Sequence, residues 1–282
     1  LKKQILLTHY SKYYLESDSV VSKMLEDAKG TTQKFVGLGY LRSFEIPIPP
    51  LEEQRTIVAK LDQAFAAIDQ AKANIEKNIA NAKELFQSKL NQIFSQNGDG
   101  WVEKTLEKTF KLKSGDGLTS KKMIQDGEYP VYGGNNIAGY YDKFNFEHGV
   151  IVGRVGALCG NARFINEKVW ITDNAFKLTE FKYEFDFKFL SYLLNFKNLR
   201  SYARQAAQPV ISNSSLKDVI LNFPNSIETQ QQIVNQLDQL QEQTNILVSK
   251  YQQKLANLEE LKKSILEKAF KGELSTTVIE KV

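Results

Sequence analysis

Leu51-Glu52-Glu53-Gln54-Arg55-Thr56-Ile57-Val58-Ala59-Lys60-Leu61-Asp62 and Ile227-Glu228-Thr229-Gln230-Gln231-Gln232-Ile233-Val234-Asn235-Gln236-Leu237-Asp238 open two copies of one long helical segment. At a constant offset of 176, residues 51–95 lie over 227–271 without a gap. The pairs Glu52/Glu228, Gln54/Gln230, Ile57/Ile233, Val58/Val234, Leu61/Leu237 and Asp62/Asp238 begin a match that runs on to Phe94/Phe270. A period this long is no solenoid repeat; it duplicates a helix together with a domain. The repeat also reaches upstream. At offset 175, Gln33, Leu41, Ile46 and Pro49 meet Gln208, Leu216, Leu221 and Pro224, and at offset 179 Tyr13 and Leu15 meet Tyr192 and Leu194.

Pro47, Pro49 and Pro50 close a strand-like stretch, 44–48, and no Gly or Pro follows until Gly98. Within that window Ile57, Leu61, Ala64, Ile68, Ala71, Ile75, Ile79, Ala82 and Phe86 recur with a 4–3 spacing, a coiled-coil seam. The second copy places Ile233, Leu237, Leu240, Thr244, Leu247, Tyr251, Lys254, Leu258, Leu261 and Ile265 on the same pattern. A helix of this kind, roughly 67 Å long, cannot bury its seam against a compact domain. Its partner is expected to be its own repeat, running antiparallel.

Asn97-Gly98-Asp99-Gly100 ends the first helix, and the composition then shifts to Gly, Asn, Tyr and short β-branched runs. Strands are predicted at 149–155, 161–165, 168–172 and 219–223, an amphipathic helix at 186–204 and a polar loop at 212–215. The fold class is therefore α+β, a mixed α/β domain with two long antiparallel coiled-coil helices. The expected divisions are 1–50, the tail of a first domain; 51–97, the first long helix; 98–226, a complete domain; 227–272, the second helix; and 273–282, a tail. Because residues 1–50 match only the end of the complete domain, a truncated or half-length form is expected.

The 282 residues carry 37 Lys or Arg against 33 Asp or Glu, and residues 101–206 hold 16 of the former and 12 of the latter. The mild basic tilt favours a polyanionic partner only weakly. A single cysteine, Cys159, excludes an intramolecular disulfide framework and fits a reducing cytoplasm. No apolar run approaches the roughly 20 residues of a membrane span. An active site is not found either. Gly115-Asp116-Gly117-Leu118-Thr119-Ser120-Lys121-Lys122 lacks P-loop spacing, and His9, His148 and Cys159 assemble neither a zinc site nor a nucleophile pair. No catalytic residue, resident metal or cofactor is assigned.

Recognition remains. DNA readout uses Arg, Lys, Asn, Gln and Ser on loops, Arg for guanine, Asn or Gln for adenine, Lys or Ser for phosphate. The candidate DNA-binding residues are Ser114, Thr119, Ser120, Lys121, Lys122, Tyr132, Asn135, Asn136, Arg154, Arg204, Gln205, Gln208, Ser212, Asn213 and Ser214. Each alone is an ordinary turn residue; the clustering raises the group. A coiled-coil scaffold with a protein-binding middle domain is the alternative.

The helix openings at 46–54 and 223–230, the close of the second helix at 258–274, and Tyr129-Pro130-Val131-Tyr132-Gly133-Gly134-Asn135, Val152-Gly153-Arg154-Val155-Gly156-Ala157 and Thr172-Asp173-Asn174-Ala175 together resemble the specificity subunit of type I restriction-modification enzymes. The resemblance implies target recognition domains that each read one half of a bipartite site in double-stranded DNA, held apart by helices that dock methyltransferase subunits, with a restriction subunit joining the complex. Catalysis, S-adenosylmethionine, ATP and Mg would belong to those partners. With one complete recognition domain, the chain is expected either to be a piece of a longer protein or to pair as a homodimer, which would suit a palindromic interrupted target.

Overall fold

A computed structural model describes residues 5–30, 34–96, 98–134, 136–204 and 208–273. Two compact units emerge, one of residues 1–83 with 244–282, the other of residues 84–243, so that the division cuts both long helices.

The first unit starts with three short helices, Thr8–Glu16 (α1), Asp18–Glu26 (α2) and Leu38–Ser43 (α3), and then enters Leu51–Phe94 (α4). Glu52 and Glu53 occupy the first turn of α4, where the amide ends of the helix favour negative charge. The C-terminal part of Ile227–Phe270 (α7) lies against it. Leu61, Ala64, Phe65 and Ile68 bury against Ile265, Leu266 and Ala269, with Ile57, Leu258, Leu261, Phe270 and Tyr13 at the margins. Lys72 pairs with Glu259 and, one turn earlier, Asp69 with Lys262 at 3.8 Å. Rising numbers on one helix meet falling numbers on the other, so the two run antiparallel. Lys262 also lies 4.8 Å over the Phe65 ring, covering the seam with its stem.

Not every seam position faces inward. Ile75 and Ile79 are half-buried, and Leu247 is 40% exposed. On α7 the covered line passes from Thr244 through Val248, Tyr251 and Leu255 to Leu258, one position beyond the predicted Leu247 and Lys254. Residues 247 and 248 flank the same line on a helix of 3.6 residues per turn, and the partner decides which turns in. Residues 44–48 form no strand: Pro47 removes a ladder donor, and among the described residues no neighbouring strand is paired with them.

Among its described residues the second unit contains nine strands: Trp101–Thr105 (β1), Lys111–Ser114 (β2), Tyr129–Tyr132 (β3), Ile137–Tyr141 (β4), Gly149–Gly153 (β5), Ala162–Ile165 (β6), Trp170–Ile171 (β7), Ala175–Thr179 (β8) and Ile220–Pro224 (β9). They form an antiparallel sheet in the order β2-β8-β5-β6, a smaller sheet β4-β3-β7 whose β3 and β7 run parallel, and the antiparallel pair β1-β9. Both faces of the four-stranded sheet are covered. Val150, Val152, Phe176 and Leu178 point into the main core, while Ile151 and Ala175, one residue out of phase, join Val169 and Ile171 on the other side.

Helix Phe187–Phe196 (α5) supplies Phe189, Leu190, Leu193 and Leu194 to the main core. The end of α4 adds Leu90, Ile93 and Phe94, and the start of α7 adds Ile233, Val234 and Leu237. Asp186 caps α5 by accepting from the amides of Lys188 and Phe189, each at 2.9 Å. The helix predicted to reach 204 ends early because Asn198 adopts a left-handed φ of 47°, after which only a 3-10 turn, Leu199–Tyr202, follows. The polar stretch predicted as loop instead forms helix Asn213–Leu216 (α6), held by a reciprocal capping box between Ser212 and Ser215.

Candidate nucleic-acid interface

Five connections of the second unit converge: residues 114–117 at the end of β2, 133, 134 and 136 after β3, 153–161 at the end of β5, 172–174 before β8, and 208–214 leading into α6. Glycines permit their approach. A methyl group on Gly134 would stand 2.0 Å from the Val155 carbonyl oxygen, one on Gly153 would stand 2.2 Å from the Gly134 carbonyl, and one on Gly115 2.3 Å from that of Ile171. Backbone bonds lock the arrangement, from Arg154 N to Asn174 O at 2.9 Å, Ile211 N to Arg154 O at 3.0 Å and Gly156 N to Pro209 O at 3.0 Å.

Arg154 stands at the centre of this cluster. Its Nη1 donates to Ser114 Oγ at 3.1 Å and to the Asp173 carbonyl at 3.4 Å, and its guanidinium lies 5.3 Å from the centroid of the Phe176 ring. Nε is buried without a partner among the described residues. The side chain thus ties three connections together, and Ser114 and Arg154 are in direct contact.

The other predicted residues divide by position. Thr119, Ser120, Lys121 and Lys122 are exposed on a 3-10 turn beyond β2, and Asn136, Arg204 and Gln208 are exposed on the loops. Ser212 is engaged as the cap of α6 and bonds Ser214 Oγ at 2.9 Å, while Asn213 donates its amide to the Leu112 carbonyl at 3.1 Å. Tyr132 packs beside the second core of the sheet, and burial raises the pKa of its phenol. Asn135 and Gln205 lie outside the described residues.

Sequence reasoning missed Asp116, Asn145 and Lys177. The buried Lys177 reaches Asp116 Oδ2 at 3.3 Å, and Asn145 donates to the same oxygen at 2.6 Å while its carbonyl accepts from Ile171 N at 2.7 Å. This cluster fixes the root of the loop that carries Lys121 and Lys122. Strand register supplies a further signal that only pairing reveals: Lys113, Lys177, Ile151 and Arg163 lie in one row across the sheet, three cations on one face. Burial lowers the pKa of Arg163.

A second constellation sits on the helices and occurs once in each unit. Gln54 accepts from Leu7 N at 2.9 Å and donates to the carbonyls of Ile5 and Pro49, at 2.9 and 2.7 Å. Gln230, its repeat, accepts from Asp186 N at 2.9 Å and donates to the carbonyls of Glu184 and Pro224, at 3.2 and 2.9 Å. Both glutamines are fully buried. Two turns on, Tyr13 donates to Asp62 at 2.5 Å and Tyr192 to Asp238 at 2.8 Å. Burial and the carboxylate acceptor push the Tyr13 phenol up to about 12, and the same causes raise Tyr192. Phe270 meets Tyr10 and Tyr14 as Phe94 meets Phe189 and Phe196. The pairs Gln54/Gln230, Tyr13/Tyr192 and Asp62/Asp238 all stand in the sequence repeat; what the alignment could not convey is that they form one docking device.

The family model described as the type I restriction modification DNA specificity domain matches residues 1–81 and again residues 98–257. The chain belongs to this family. It is 32% identical over 148 residues to the type I restriction enzyme EcoprrI specificity subunit of Escherichia coli, covering 50% of this chain and 36% of that one. Against the StySPI specificity subunit of Salmonella potsdam the identity is 24% over 314 residues, 97% of this chain and 67% of the other. The chain spans 36–41% of the length of the first three curated relatives it matches. Its fold is that of specificity subunits. A chain from a solved type I R-M system, described for its complex assembly and conformational transition, superposes with a TM-score of 0.79 at 23% identity, over 94% of this chain and 71% of that chain. The HsdS subunit from Thermoanaerobacter tengcongensis gives 0.61 at 23% identity, over 96% and 71%.

Among the described residues no group of three or more His, Cys, Asp or Glu could hold a metal ion, and no helix is long and apolar enough to cross a membrane.

Proposed function

We propose that this chain is the non-catalytic DNA sequence-specificity subunit of a type I restriction-modification complex. Residues 98–226 act as a target recognition domain for one half of a bipartite site, and the two long helices set the half-site spacing and dock methyltransferase subunits. The observation that carries this reading is the convergence of five loops around Arg154, three of them relieved by glycine, together with the exposed Lys121, Lys122 and Arg204, in a chain whose family is defined by DNA specificity. Arg154 pins the loops, so the exposed lysines, Asn136 and Arg204 are left to meet phosphates and base edges.

Catalysis, with S-adenosylmethionine, ATP and Mg, is assigned to partner subunits, and the restriction subunit joins through them. The proposed site of action is the cytoplasm. A homodimer would supply two identical readers and a palindromic interrupted target. Reconstitution with a methyltransferase subunit and mapping of methylated positions tests the reading: methylation confined to one interrupted motif is expected, with binding that weakens steeply as salt rises. Methylation that does not depend on this chain, or assembly insensitive to salt with no DNA retained, would overturn it in favour of a protein-binding scaffold. Light scattering during size-exclusion chromatography tests the homodimer, which a clean monomer, alone and with the methyltransferase subunit, would sink.

A further inference from the structure

The five converging connections carry few charges. Arg154 is their one cation, and it is turned to Ser114, the Asp173 carbonyl and the Phe176 ring. Asp116 and Asp173 are their two acids, and the two differ in what meets them. Asp116 accepts from Asn145 and Lys177, so its charge is answered within the unit. The Asp173 carboxylate is exposed and, among the described residues, meets neither a hydrogen-bond donor nor a cation. The centre of the converging loops therefore offers phosphates little, and its one unanswered charge is negative.

The turn that carries Asp173 is firmly held. Thr172-Asp173-Asn174-Ala175 joins β7 to β8 and closes with Ala175 N donating to Thr172 O at 3.0 Å. Both ends are anchored in the interior, Thr172 at 3% exposure and Ala175 at 0%. Thr172 N donates to Tyr132 O and Arg154 N to Asn174 O, each at 2.9 Å, while Arg154 Nη1 reaches the Asp173 carbonyl at 3.4 Å. Main chain fixed at these points presents an acidic side chain outward from a rigid base, as positional precision in recognition requires.

Against DNA, an unanswered carboxylate has a narrow choice of neighbours. Phosphates repel it. On the major-groove edges guanine shows the N7 and O6 acceptors, thymine shows O4, and adenine sets N7 beside its N6 amino group. Cytosine alone offers an amino donor, N4, with no acceptor beside it on the same base. An ionised carboxylate only accepts, so it fits cytosine and is repelled by an acceptor on each of the other three. Given the DNA-reading role stated above, we propose that Asp173 is a specificity-determining residue that accepts a hydrogen bond from cytosine N4 in the major groove. Arg154 is then a positioning residue that holds the turn from behind.

The test reconstitutes the full chain with a methyltransferase subunit and maps methylation on duplexes randomised across the target. Asp173→Asn keeps the size and turn preference of the side chain and adds a donor. It is expected to move the preference at one position from cytosine to adenine, whose N6 and N7 an amide matches, and to leave the other positions unchanged. Asp173→Ala should weaken the preference for cytosine at that same position on the order of tenfold. The unsubstituted chain covers failure of the variants to fold. N4-methylcytosine, whose methyl group takes the place of the groove-facing N–H, is placed at each cytosine of the motif in turn and should weaken binding on the order of tenfold at one or more of them. Equal tightening of the variants on all duplexes would make the carboxylate a repellent of phosphate, and an unchanged motif would make it a turn residue; either result overturns the assignment, as does N4-methylcytosine without effect at every position. If the unsubstituted chain confers no motif, the DNA-reading role falls and the role of Asp173 with it, whereas a motif that survives both substitutions removes the role of Asp173 alone.

Discussion

At the level of single residues, Arg154 has partners within the chain that its type does not announce. An arginine on a loop of a DNA-binding protein is expected to read guanine, yet this one stacks on Phe176 and donates to Ser114 and Asp173. Arg154→Ala should therefore destabilise the second unit by about 1–3 kcal/mol, through the lost charged hydrogen bonds and ring contact. Denaturant unfolding checks this, and a binding defect spread over all DNA sequences should accompany it. Relaxed specificity at one base with stability intact would restore the base-reading role. Tyr13 offers a test by pH. Its phenol is raised from 10 to about 12, so the folded form holds the proton more tightly. The stabilisation is complete below pH 10 and is lost as pH rises from 10 towards 12. Tyrosinate absorbance should show several late-titrating phenols, Tyr192 among them, of which Tyr13→Phe removes one, and the variant's stability should change less over that interval.

At the level of elements, the long helices were legible from spacing, Gly and Pro punctuation and the internal repeat, because helix formation and the apolar stripe are local properties. Which side of the stripe turns inward is not local. Leu237 and Leu247 satisfy the same 4–3 pattern, but the first is fully buried and the second 40% exposed. Leu237→Ala should cost about 2–5 kcal/mol, whereas Leu247→Ala should stay within about 0.5 kcal/mol, as measured by chemical denaturation. The site was legible in part for the same reason. The loop-borne Asn and Lys could be nominated by type, but the row of Lys113, Lys177 and Arg163 depends on the register of four strands that are not neighbours in sequence order. The strand boundaries at Gly153 and the helix stop at Asn198 likewise follow from close backbone approaches and one left-handed φ that composition does not encode.

For the whole molecule, the proposed function makes the helices a ruler. Seven residues, two helical turns, inserted after Ile79 and again after Tyr251 keep the seam in phase while lengthening both helices by about 10 Å. In the reconstituted complex the spacer between methylated half-sites should grow by about 3 base pairs, at 3.4 Å each, with the half-site sequences unchanged. An unchanged spacer would remove the helices from that role.

Gln54 and Gln230 each grip three groups, and all six are main-chain amides or carbonyls. A socket that holds only backbone is indifferent to which side chains it receives. Ile5 and Leu7 fill it on one helix and Glu184 and Asp186 on the other, beside a proline carbonyl, Pro49 or Pro224, that both share. Sequence on the docked segment is thus free to drift or be exchanged while the anchoring helix stays constant.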